Sequence, residues 1–134
     1  MSKKYDLELP EPFGLKLEIV DIEDRLPSVQ CYVNFLLGIN NVSFSYSATT
    51  WFECSMYDEF VKQLKNIQTG KNTEAKFYNM GCEIGYFVDS KQFSLYLYES
   101  HGIKGSAIME LRRDFDRDLL AQHIRNLDNF PKWW

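Results

Sequence analysis

Apolar and polar residues alternate along the first half of the chain. Leu15, Leu17 and Ile19 are interleaved with Lys16 and Glu18, and Val29, Cys31, Val33, Phe35 and Leu37 share one face of a following block. In the next block Val42, Phe44, Tyr46, Ala48 and Phe52 fall on one side, with Ser43, Ser45, Ser47, Thr49 and Glu53 on the other. Side chains of a strand point alternately to opposite faces, so this period of two predicts strands with one buried face. The first strand is expected to end near Asp21 to Arg25, after a lead-in containing Pro10 and Pro12, and Pro27 opens the second. Gly38-Ile39-Asn40-Asn41 provides the turn of an antiparallel hairpin.

The period then changes. Tyr57, Phe60, Val61, Leu64 and Ile67 recur at spacings of three and four, which predicts an amphipathic helix over residues 55–69. Ser55 is placed to accept from the free amides of the first turn, and Asp58 with Glu59 sets negative charge near the positive end of the helix dipole. Gly70 offers a left-handed stop.

Beyond it, 73–79, 82–88, 92–98 and 106–113 are short alternating segments, separated by turns at Met80-Gly81, Asp89-Ser90-Lys91 and His101 to Gly105. A second helix is expected from Asp116, with Phe115 and Leu120 placed as a hydrophobic staple and Leu119, Leu120, His123, Ile124 and Leu127 on one face. Asn129-Phe130-Pro131 stops it. Short connections favour antiparallel neighbours, so the expected fold is a single α+β domain over 1–134. Its mainly antiparallel, curved sheet of about six to seven strands is packed by two helices, in a weakly two-part order of strands, helix, strands, helix.

With 134 residues, such a chain is long enough to bury about two thirds of its unfolded surface around one core. Cys31, Cys54 and Cys82 match neither a zinc site nor a redox pair and read as buried free thiols in a reducing compartment. The start, Met1 to Asp6, leads into no apolar signal-like run, and no segment has the roughly 18 apolar residues of a membrane span, so a cytoplasmic protein without membrane contact is expected. A net charge of −4 argues against a direct nucleic-acid partner. Arg112, Arg113 and Arg117 are interleaved with Glu110, Asp114, Asp116 and Asp118 and read as a self-paired surface.

Candidate chemistry is sparse. His123 lies on an apolar helical stripe and His101 in a turn, and no nucleophile motif, phosphate loop or metal-binding motif accompanies them. Acidic groups at Asp21, Glu23, Asp24 and at Asp114, Asp116, Asp118 lack the glycine and distal glutamate of a calcium loop. No catalytic residue, metal or cofactor is assigned, and enzyme activity is not expected.

The outward strand faces say more. Alternation turns Tyr32, Trp51, Tyr78, Phe87, Tyr96 and Tyr98 away from the core, among acids such as Glu53, Glu74, Glu83 and Glu110. Tyr and Trp concentrate at the centres of protein interfaces. Trp51, Tyr78, Glu83, Tyr96, Tyr98 and Glu74 are therefore the candidate partner-binding residues, unless a curled sheet, the first strand or Trp133-Trp134 covers the rings.

The order of elements resembles a known group. The run from Trp51-Phe52 to Phe60, Leu64, Ile67 and Gly70, followed by Glu74-Ala75-Lys76-Phe77, Phe93 to Leu97, Asp116 to Leu127 and Phe130-Pro131, is similar to the WapI-like immunity proteins over residues 13–131. These are small cytoplasmic proteins of bacterial polymorphic-toxin and contact-dependent growth inhibition systems. The resemblance lies in spaced hydrophobic positions, and Met80 to Ile84 and the Trp-Trp terminus depart from it. It implies stoichiometric binding and neutralisation of a cognate toxin domain, such as a basic nuclease, by a monomer or homodimer without catalysis or cofactor. An acidic dimeric secretion-type chaperone is the alternative, although such chaperones open with a helix and this chain opens with strands.

Overall fold

The computed structural model describes residues 5–71, 73–100 and 105–134. In chain order the elements are β1 (Leu7–Leu9), β2 (Leu15–Glu23), β3 (Ser28–Ile39), β4 (Val42–Glu53), α1 (Cys54–Gln68), β5 (Glu74–Tyr78), β6 (Ile84–Asp89), β7 (Gln92–Ser100), β8 (Ser106–Asp114) and α2 (Arg117–Asp128). The fold is α+β and antiparallel, as expected. The single curved sheet of six to seven strands is corrected to two four-stranded meanders, β1-β2-β3-β4 and β5-β6-β7-β8, each followed by a helix.

The split has a local cause. β4 runs directly into α1, and α1 then lies along β5, where the Gln63 side-chain oxygen accepts the Lys76 amide at 2.9 Å. That contact occupies the outer edge of β5. The two sheets meet where the Met80 amide donates to the Trp51 carbonyl at 2.9 Å. The lead-in also contributes a strand, because Leu7 and Leu9 pair with Leu17 and Leu15 and are buried with them.

One core unites the two halves. Leu17, Val33, Phe35 and Phe52 of the first sheet and Phe77, Tyr86 and Leu95 of the second line a single void of about 50 Å3. Phe52 stacks on Tyr57 of α1 at 5.8 Å and meets Phe77 edge-on at 5.4 Å, so the junction of β4 and α1 is locked to β5. Val42, expected on the core face, is 68% exposed because the β3–β4 hairpin projects past the core. Val20 is thrown out by a bulge that shifts the β2–β3 register between Ile19 and Asp21.

α1 buries Tyr57, Phe60, Val61 and Leu64, as its stripe predicts. Its start differs from the expected one. Glu53 is the N-cap and makes no side-chain capping bond, while the Ser55 hydroxyl donates to the Glu53 carboxylate at 3.4 Å. β4 stays extended through Glu53, so Ser55 lies two positions past the cap, and the free Cys54 amide donates instead to the Pro27 carbonyl at 2.9 Å. Asp58 and Glu59 consequently fall beyond the first turn. The C-terminal end follows expectation: Gly70 has φ +76, its amide donates to Ile67, and the Lys71 amide donates to Asn66, a Schellman arrangement. α2 is capped as expected, with Asp116 accepting from the Asp118 and Leu119 amides, and Phe115 stacks on Phe93 at 5.8 Å.

Leu64 is 0% exposed, so Leu64→Ala is expected to cost about 2–5 kcal/mol in a denaturant melt through the cavity it leaves. Gly14 has φ +64, and a Cβ there would stand 2.2 Å from the Leu36 carbonyl oxygen. Gly14→Ala is expected to lower stability by more than about 1 kcal/mol, well outside the range of ordinary surface changes.

Candidate functional site

The inner face of the second sheet is committed to the core, and its outward face carries the candidate residues. Cross-strand pairing sets Tyr78, Gly85, Tyr96 and Glu110 in one lateral row. Lys76, Phe87, Ser94 and Arg112 form the next, and Tyr98 pairs with Ile108. Gly85 is the floor of this surface. A Cβ there would approach the Phe87 ring to 2.9 Å and Tyr78 to 3.5 Å, so both rings lie over bare backbone, edge to face at 5.2 Å. Tyr78, Phe87, Tyr96 and Tyr98 are each half-buried, and Ser94 beneath them is buried despite facing outward. The result is an aromatic strip edged by the Glu110–Arg112 pair at 2.9 Å and the Glu74–Lys76 pair at 3.4 Å.

Glu83 sits in the β5–β6 turn at the end of this strip. The buried Asn79 amide donates to the Glu83 carboxylate at 2.7 Å and to the Thr50 hydroxyl at 2.6 Å, and the Asn79 side-chain oxygen accepts the Ile84 amide at 3.1 Å. One side chain thus holds the turn and ties it to β4. The Glu83 carbonyl accepts the Tyr98 amide at 2.7 Å, which brings Glu83 and Tyr98 together.

Four of the six candidates, Tyr78, Glu83, Tyr96 and Tyr98, therefore gather around one surface. Glu74 lies on the same outward side at the far end of β5, opposite Asp89. Trp51 does not share the strip: it pairs with Gln30 on the outward side of the first sheet, and its carbonyl accepts the Met80 amide at the turn. Sequence reading counted Glu110 among the outward acids but missed Ile108; on β8 these two residues complete the rows begun by Tyr96 and Tyr98. The signal lay in the β7–β8 register, which the long connection between them hides. Trp134 covers α1, where its indole donates to Asp58 at 2.8 Å and its ring meets Tyr57 edge-on.

Other chemistry-bearing groups are engaged structurally. His123, 1% exposed, contacts the Tyr86 hydroxyl through Nε2 at 2.6 Å. The His123 ring also bonds the Leu119 backbone, and burial lowers its pKa to about 4, so the neutral imidazole accepts from the phenol. Burial raises the Tyr86 phenol well above its usual range. Cys31 and Cys54 are buried free thiols, the former pushed up to about 12 by burial, whereas Cys82 is exposed in the turn at φ +56, contrary to expectation, because the tight turn before β6 turns it out of the strand. Arg113 pairs with Glu11 at 3.4 Å, across the fold and not with the neighbouring aspartates. His101 lies outside the described residues.

Among the described residues, no group of three or more His, Cys, Asp or Glu is placed to hold a metal, and no helix is long and apolar enough to cross a membrane. A depression of about 670 Å3 runs between α1 and α2 and is lined by Lys62, Lys65, Asp128 and Lys132 among others. Its charges are largely matched, Lys65 with Asp128 and Lys132 with Asp58. In comparisons with known proteins, no family model, curated protein or solved structure matches the chain.

The His123–Tyr86 contact sets a pH dependence. His123 titrates at about 4 in the folded protein against 6.5 when unfolded, so the unfolded chain binds the extra proton first. Stability is expected to fall by up to about 3 kcal/mol as pH drops from about 6.5 to about 4. Denaturant melts of the wild type and His123→Leu across that window check it, the variant losing this component of the slope.

Proposed function

We propose that this protein acts by binding another protein, as an immunity protein that neutralises a cognate bacterial toxin domain in a stoichiometric complex. The observation that carries this reading is the outward strip of the second sheet, where Tyr78, Phe87, Tyr96 and Tyr98 stand half-exposed, the first two lying over Gly85. A tyrosine gives a large, rigid contact with a polar tip, the kind of anchor that dominates binding energy when a partner excludes water. Glu83 and Glu110 at the rim, and a net charge of −4, favour a basic partner such as a nuclease domain and speed its encounter. The cytoplasm is the place such a complex would act. Neutralisation of this kind uses contact alone and requires no catalytic group, metal or cofactor.

Calorimetric titration against the product of an adjacent toxin gene tests the proposal. A saturating fixed ratio is expected, unchanged by chelators. Tyr96→Ala and Tyr78→Ala should each weaken binding by about 1–2 kcal/mol with little change in melting temperature. Complete inactivation of the toxin by substoichiometric amounts would contradict a binding mechanism, and unchanged affinity in both variants would remove the strip from the interface.

A further inference from the structure

Four strands end the two sheets, and three of these edges are managed. β1 has only three residues and is packed by α2. β5 is capped by Gln63. On β4, the Trp51 carbonyl is engaged by Met80, while Phe44 and Tyr46 share a cleft with Leu97 and Met109 of the second sheet. β8 is different. Eight of its nine residues are exposed, including Ile108 at 63% and Met109 at 40%, and only Leu111 is half-buried. Among the described residues no backbone bond reaches its outer side. A strand this long that buries so little presents a row of donors and acceptors for another strand.

We propose that β8 pairs antiparallel with β8 of a second copy about a two-fold axis, joining two second sheets into one of eight strands. The backbone fixes which residues can meet. The Phe115 amide donates to the Lys91 carbonyl at 3.0 Å, continuing the Gln92–Asp114 register, so odd-numbered residues of β8 bond toward β7. Ser106, Ile108, Glu110, Arg112 and Asp114 therefore direct their backbone groups to the free edge. Two-fold pairing sets even positions opposite even positions. An axis at Glu110 opposes two glutamates, and one at Arg112 opposes two arginines. An axis at Leu111 sets Glu110 opposite Arg112 of the second copy, twice over. It also places Leu111 opposite itself on the inner face, and brings the exposed Ile108 and Met109 into the interface. Isologous contacts require this self-complementarity, and opposite charges directly across strands favour pairing where like charges oppose it.

Edge pairing uses Ile108, Glu110 and Arg112 at the border of the outward strip and leaves its rings Tyr78, Phe87 and Tyr96 open. Light scattering after size exclusion, with the full chain, tests it. The wild type is expected at twice the monomer mass. Glu110→Arg and Arg112→Glu each place like charges at two symmetric positions and should weaken dimerisation at least about tenfold. The combined E110R/R112E chain should recover it, with circular dichroism confirming folded variants throughout. As an independent readout, hydrogen exchange at the Ile108, Glu110 and Arg112 amides should slow as protein concentration rises. A wild type monomeric at every concentration, a double reversal that fails to restore the dimer, or exchange that ignores concentration would each overturn the proposal.

Discussion

The fold turns on a single buried phenol. Tyr86 projects from β6 into an apolar interior, with Phe13 before β2, Phe60 on α1 and His123 on α2 ringed about it at 5.8–5.9 Å. A hydroxyl there without a partner would carry a desolvation penalty of about 1–3 kcal/mol. His123 removes that penalty only if α2 is rotated to aim its imidazole inward and if the imidazole stays neutral. One polar contact thereby specifies the rotation of α2, while the rings around it bring the second sheet, α1 and the start of the chain to the same point. Tyr57 makes a second contact of this kind, its hydroxyl donating to the Leu127 carbonyl at 2.5 Å, so both helices are fixed to each other as well as to the sheets.

With the inner faces and helices committed in this way, what remains available for recognition is the outward side of the second sheet. The first sheet's outward side carries the short polar groups Ser43, Ser45, Ser47, Thr49 and Asn34, with Tyr32, Leu36 and Trp51 set singly among them, each opposite a polar residue of the neighbouring strand. The second shows aromatic rings. Gly85 matters because its missing side chain lets Tyr78 and Phe87 lie over the backbone, which keeps the strip shallow. Asn79 matters because its amide holds the β5–β6 turn against β4, so the end of the strip is rigid where Glu83 meets Tyr98.

The parts of this arrangement that depend on local periodicity were legible in the sequence: the β3–β4 hairpin, both helical stripes, the Gly70 stop and the Asp116 cap. The parts that depend on distant partners were not. Ser55 reads as a cap because nothing local reveals that Pro27 takes the Cys54 amide, and one sheet reads as natural because nothing local reveals that Gln63 takes the Lys76 amide. Arg113 finds Glu11 across 102 positions. The candidate site divides in the same way. Parity alone turned Tyr78, Tyr96 and Tyr98 outward correctly, but parity cannot say which sheet a strand joins, so Trp51 was grouped with them and the neighbouring Ile108 was overlooked.

The central claim is that the second sheet has a dry face built on Tyr86 and a wet face built on Tyr96. Tyrosine nitration of the folded protein, read by mass spectrometry, distinguishes them ring by ring. Burial pushes the Tyr57 and Tyr86 phenols upward and keeps both from solvent, so they should resist the reagent until the chain unfolds, while Tyr78, Tyr96 and Tyr98 react in the native state. Native protection of Tyr78 and Tyr96 equal to that of Tyr86 would place a further layer over the outward strip and contradict the account.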